Sequence, residues 1–240
     1  MKIAVTGKGG SGKTSVAAGL VYIFKNQGKK VIAIDADPDA NLALTLGFSD
    51  SERPVPISEL KKLILERTGE VGAFFKLNPK VDDIPDKYSK EKGDIRLMEM
   101  GTVKKGGAGC VCPESAFLKA LLSHIFINKD EVVIVDMEAG VEHLGRGTAQ
   151  AVDKFIIVVE PNFTSLDTSA KIKKLADNLK IKEVLLVGNK VRSGEDRAFI
   201  EKNARGLKIK GFIGFDEALL DSRGALPEDS DFISDLEKLI

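Results

Sequence analysis

Residues 7–14 read GKGGSGKT and stand between an apolar run and a helical pattern. The spacing fits G-x-x-x-x-G-K-[ST], the form of a loop that holds phosphate. Gly7, Gly9, Gly10 and Gly12 allow the backbone to turn its N–H groups inward around phosphate oxygens, and the helix that follows adds the positive end of its dipole. In such a loop Lys13 grips the β- and γ-phosphates and Thr14 ligates Mg2+. Gly7, Lys8, Gly9, Gly10, Ser11, Gly12, Lys13, Thr14 and Ser15 form the expected phosphate-binding set. Lys8 is a second cation that a phosphate loop does not ordinarily require. Surface lysines are commonly just solvated. At this position, though, a lysine could reach its own nucleotide or that of a neighbouring subunit, where added positive charge favours phosphoryl transfer.

Two acidic segments follow in order, DADPDAN at 35–41 and DMEAG at 136–140, each at the end of an apolar run. Alone, Asp37 and Asp136 read as turn or cap residues. Three such motifs after three strands point instead to one shared site. Asn189, in GNKV, also ends an apolar run, and its amide offers a donor and an acceptor to the edge of a base. A turn former is an equal reading of it.

The two cysteines of the chain, Cys110 and Cys112, lie in KKGGAGCVCPES, between glycines and a proline that suits a helix start. Residues two apart on an extended chain project to one side, so both thiols can share a soft metal ion. Two thiolates do not complete a four-coordinate site, but a two-fold dimer would supply four. A tetrahedral set suits Zn2+ and a planar one Ni2+. The plain alternative is a pair of small buried residues.

These groups need a scaffold, and the hydrophobic pattern supplies one. Residues 2–6, 30–35, 94–101, 131–137, 154–160, 183–190 and 209–215 read as strands, most of them nearly continuous apolar runs. Helices are expected at 14–27, 57–67, 113–127, 165–179 and 195–204, with an amphipathic helix at the C-terminal end. Such alternation predicts an α/β fold of the P-loop NTPase type, a mostly parallel central sheet with helices on both faces. Residues 48–93 are expected to form a surface insertion on a single domain spanning 1–240.

The chain has 240 residues with 36 basic and 36 acidic side chains, so its formal net charge is zero. That disfavours a general nucleic-acid or anionic-membrane binder. No apolar stretch has signal-peptide or transmembrane length, which predicts a cytoplasmic protein whose thiols stay reduced.

The run K-G-G-x-G-K-T resembles the "deviant" phosphate loop of the MinD/ParA/nitrogenase-iron-protein ATPases. The resemblance implies ATP or ADP with Mg2+ as ligands and a homodimer that sandwiches nucleotide, with Lys8 acting across it. It also implies that Asp37 orients the attacking water, that Asp136 is the Mg2+-side carboxylate, and that Gly140 lets its loop sense the γ-phosphate. Thr14, Asp37 and Asp136 are thus the expected Mg2+-side residues, and Asn189 and Phe215 the expected adenine contacts. The C-x-C, with LNPKVDDIPDKY (77–88), MGTVKKGGAGCVC (100–112), DMEAGVEHLGRGTA (136–149), VVEPNFTS (158–165) and NKV (189–191), is similar to the CooC group. Members of that group help load nickel into carbon monoxide dehydrogenase, and related members mature acetyl-CoA synthase. By this resemblance Cys110 and Cys112 hold Ni2+ or Zn2+ at the dimer interface, and the partner is one of those nickel enzymes. A ParA/MinD-type positioning ATPase acting on DNA or membrane would share Lys8, Lys13, Asp37 and Asp136. The zero net charge and the acidic face of the C-terminal helix speak against it. A non-hydrolysing nucleotide sensor is a further class, against which Asp37 argues.

Overall fold

Strands covered on both faces are mostly apolar, and β1 (Lys2–Gly7), β2 (Val31–Ala36), β5 (Val132–Met137) and β6 (Lys154–Val159) are so except at Lys2, Thr6, Asp35, Asp136 and Lys154. With β3 (Lys90–Lys92), β4 (Ile95–Glu99), β7 (Val184–Val191) and β8 (Lys208–Gly214) they form one sheet in the order β3-β4-β2-β5-β1-β6-β7-β8. Every pairing is parallel except β3 with β4. The computed structural model describes residues 1–69, 76–102, 113–128, 131–140, 144, 146–221 and 224–240. Cys110 and Cys112 lie outside the described residues.

The helices are α1 (Lys13–Asn26), α2 (Leu42–Thr45), α3 (Lys61–Thr68), α4 (Ile84–Tyr88), α5 (Pro113–Asn128), α6 (Arg146–Gln150), α7 (Phe163–Asn178), α8 (Gly194–Asn203), α9 (Ala218–Asp221) and α10 (Asp231–Glu237). They split the core in two. On one face α1, α2 and α10 bury Val16, Leu20, Leu42, Phe232 and Leu236 against Ile3, Val5 and Ile134. On the other, α3, α5, α7 and α8 bury Ile64, Phe117, Leu121, Ile172 and Ile200 against Ile32, Val133 and Ile157. β1 lies between β5 and β6. The chain leaves β1 towards β2 on one side and passes from β5 to β6 on the other, so a crevice opens at the carboxyl end of β1, where α/β sheets take ligands.

Two local expectations need correction. Residues 48–93 are not merely a surface insertion: Phe48, Ile57, Ile64, Val81 and Ile84 belong to the core, and β3 extends the sheet. β3 escaped notice because all three of its residues, Lys-Glu-Lys, are exposed. An edge strand needs only backbone pairing, and its charges deter pairing with another chain. The helix expected at 57–67 is a 3-10 turn at Ile57–Glu59 followed by α3 from Lys61. The Ser58 N–H donates to the Met100 carbonyl at 3.0 Å, a tertiary bond that holds this segment against the end of β4.

Candidate nucleotide site

At the end of β1 the Ser11 N–H donates to the Lys8 carbonyl at 3.0 Å, closing a turn in which Gly10 has φ +85°. Gly12, at φ +88°, caps α1, which has neither a side-chain cap nor an acidic residue in its first turn. Its orphan N–H groups and dipole are therefore left for an anion. A side chain at Gly12 would meet both the left-handed backbone and the Asn189 amide nitrogen. Gly12→Ala is expected to cost about 1–2 kcal/mol from the backbone alone, lowering Tm by about 2–8 °C and weakening nucleotide binding. Scanning calorimetry and an ADP titration check it.

Lys13 Nζ pairs with Asp37 Oδ2 at 2.6 Å, both side chains nearly buried. Burial by itself would lower the Lys13 pKa, but Asp136, Asp37 and Asp35 together outweigh it and hold the ammonium above its ordinary value. Thr14 Oγ1 donates to Asp136 Oδ2 at 2.6 Å. Asp136 Oδ1 is buried with no hydrogen-bond partner among the described residues. Burial, with Asp35 and Asp37 adding to it, pushes the Asp136 carboxyl up to about 7 despite Lys13 and Thr14. Asp35, which accepts the N–H groups of Asp37 (3.1 Å) and Leu42 (2.8 Å), is pushed up to about 6, chiefly by burial.

Register explains this concentration of acid. Asp35 stands opposite Glu99 on one side and Asp136 on the other, at the carboxyl ends of β4, β2 and β5. Arg53 approaches Glu99 at 3.6 Å and donates to the Ala40 carbonyl at 2.8 Å, tying the segment after α2 to the Asp37 loop. Sequence reading passed over Asp35, Glu99 and Arg53. Asp35 opens the DADPDAN motif and was visible in principle. Nothing local marks the other two.

A cleft of about 620 Å³ adjoins the loop, within the roughly 300–1,000 Å³ usual for small-molecule sites. Gly9, Gly10, Gly12, Lys13, Thr14 and Ser15 of the loop line it, together with Asp37, Asn189, Lys190, Phe215, Asp216 and Phe232. Gly7, Ser11 and Asp136 stand behind this lining. Ser11 is fully buried, and its carbonyl accepts from Asn189 Nδ2 at 2.9 Å. The Arg192 guanidinium lies over Phe215, 3.9 Å from the ring centre. Lys8 does not line its own cleft, and its side chain has no partner among the described residues. Thr6 Oγ1 donates to the Glu138 carbonyl at 2.6 Å and accepts from the Gly140 N–H at 3.3 Å, so β1 also anchors the start of the second acidic loop. Among the described residues no group of three or more His, Cys, Asp or Glu side chains is placed to hold a metal ion, and no helix is long and apolar enough to cross a membrane.

The sheet, the uncapped glycine loop and the cleft beside it define a phosphate-loop nucleotide-binding protein. The model of the CobQ/CobB/MinD/ParA nucleotide binding domain matches residues 2–227, and the chain belongs to that family, among its CooC-type ATPases. It is 47% identical to the carbon monoxide dehydrogenase accessory protein CooC of Rhodospirillum rubrum, over 91% of this chain and 85% of that protein. It is 48% identical to an ATP-binding protein of Methanocaldococcus jannaschii, over 92% and 88%. In fold it is similar to a ParA family ATPase from Chlorobium tepidum (TM-score 0.71, 17% identity, covering 99% and 96%). The septum site-determining protein MinD of Pyrococcus horikoshii, complexed with Mg-ADP, is comparable (TM-score 0.68, 18% identity, covering 99% and 93%).

Proposed function

We propose that this protein is a cytoplasmic, single-domain, ATP-hydrolysing maturation factor that works as a homodimer. It helps insert nickel into carbon monoxide dehydrogenase or acetyl-CoA synthase, carrying Ni2+ or Zn2+ on Cys110 and Cys112 of both subunits. The reading rests on one observation above all: Lys8 is not among the residues that line its own cleft, whereas Lys13, Thr14 and Asp37 are. A loop cation that does not line its own cleft suits a second subunit. The choice of client is supported by the identity to CooC and by the C-x-C pair.

Thr14 and Asp136 fit Mg2+. A hydroxyl and a carboxylate are hard oxygen donors, and Asp136 Oδ1 is a buried acceptor with no partner among the described residues. When bound, the ion neutralises charge on the phosphate oxygens. The loop N–H groups and Lys13 bind the β- and γ-phosphates, and Asn189 and Phe215 hold the adenine. Asp37, parting from Lys13, accepts a hydrogen bond from the attacking water. Lys8 of the second subunit adds positive charge where the γ-phosphoryl group leaves ADP for that water. Nucleotide contacts made in both subunits favour the closed dimer differentially, as coupling requires.

Elemental analysis alongside solution mass tests this. With Mg-ATP and Ni2+, about half an ion per chain is expected, appearing together with the dimer. Cys110→Ala/Cys112→Ala is expected to dimerise with Mg-ATP but to bind no Ni2+. Unchanged metal binding by that variant would remove the cysteines from the site. A monomer in the presence of ATP, or binding to duplex DNA or anionic vesicles at moderate salt, would instead favour another role.

A further inference from the structure

Consecutive residues of a regular strand point to opposite faces, yet Asn189 and Lys190 of β7 both reach the phosphate loop. The pairing of β7 with β8 shifts register between Gly188 and Val191, and Lys190 takes a left-handed φ of +59°. Such a bulge re-aims side chains. Asn189 Nδ2 donates to the Ser11 carbonyl at 2.9 Å and Lys190 Nζ to the Gly10 carbonyl at 2.6 Å. Two neighbouring donors thus hold two neighbouring loop carbonyls.

Lys190 Nζ also donates to Glu160 Oε1 at 2.5 Å. Glu160 is itself fixed at the start of α7: its N–H donates to Ser165 Oγ at 3.1 Å, and its Oε2 accepts from Asn162 Nδ2 at 3.2 Å. The Lys190 charge is therefore matched before any phosphate arrives, although the residue borders the cleft. Gly10 is the third residue of the turn that Lys8 opens and Ser11 closes. Holding its carbonyl restrains the turn whose first residue is Lys8.

We infer that Lys190, with Glu160 as its counter-charge, is a positioning residue that presents Lys8 outward to a second copy of this chain. The inference rests on the role given to Lys8 above. Lys190 and Glu160 side chains are 41% and 21% exposed, and pairs so open to water contribute little to stability. The effect of breaking this one is therefore on geometry.

The test uses the full chain with Lys190→Met, Lys190→Arg and Glu160→Gln, reading ATP turnover, ADP affinity and Tm. Lys190→Met is expected to lower kcat by about 10²-fold, the order that a misplacement of about 1 Å produces. Its ADP affinity is expected to stay within about threefold and its Tm within about 4 °C. Lys190→Arg, which keeps a donor and the charge, is expected to recover most of the turnover. Glu160→Gln is expected to lower kcat less than Lys190→Met and to leave ADP affinity unchanged. Wild-type turnover by Lys190→Met, or a matching collapse of ADP affinity, overturns the inference. Should Lys190→Met fail to fold, Glu160→Gln decides, and an unchanged kcat there overturns it equally. Absence of turnover in the wild-type dimer would instead strike at the proposed function itself.

Discussion

Lys8→Ala is expected to lower ATP turnover by about 10³-fold or more, the scale of a cation supplied in trans to a transferring phosphoryl group. ADP affinity of the isolated subunit is expected to stay within about threefold, because Lys8 does not line its own cleft. The same substitution at a lysine that contacts its own nucleotide would weaken binding and turnover together. Mixing separates the two further. Lys8→Ala combined with a hydrolysis-dead Lys13→Met subunit is expected to recover activity in mixed dimers, since the Lys8→Ala subunit keeps its own Lys13 and receives Lys8 from the other chain, completing one site. Steady-state kinetics on the mixture reads this directly, and a mixture no faster than its parts would return Lys8 to its own subunit.

Lys13→Met is expected to act twice. Nucleotide affinity should fall by about 10²-fold or more, as when one partner of a desolvated charged contact is removed. The nucleotide-free protein should also become less stable, in a pH-dependent way. Lys13 is the cation facing Asp37, Asp136 and Asp35. Asp35 and Asp136 titrate near 6 and 7 rather than 3.8, so each binds its proton more tightly folded than unfolded. Their contribution is fully present below the unfolded value and is lost as pH rises through about 6 and about 7. Lys13 offsets that loss by stabilising the ionised carboxylates. Without it, the cost is expected to reach about 3 kcal/mol at pH 8 and to shrink as pH falls towards 5, where both carboxyls are protonated. Denaturant melts of wild type and variant at both pH values, with chelator present, measure it. A difference that does not change with pH would mean that Lys13 does not balance these acids.

The phosphate loop was legible because its demands are local. A chain that reverses at φ +85° and +88° and then starts a helix needs glycine at Gly10 and Gly12, whatever surrounds it. The buried strands were legible because burial on both faces makes most of their positions apolar. Asp37 and Asp136 were singled out because they stand at the carboxyl ends of two such strands. β3 was not found, since Lys90–Lys92 is held by backbone pairing and shows no apolar signal. The 57–67 segment misled because its apolar spacing suits a helix, while the bond from Ser58 to Met100 is made across the fold.

By itself the sequence determined the glycine loop, the alternation of strand and helix, and the presence of two cations where one would suffice. Tertiary structure alone decided what those groups face. Strand order sets Glu99, Asp35 and Asp136 side by side, and a bulge in β7 turns both Asn189 and Lys190 onto the loop. Local propensity is written in neighbouring residues. A charge's partner, and so its pKa and its role, depends on which distant strand lies about 4.8 Å away, and no short stretch of sequence carries that distance.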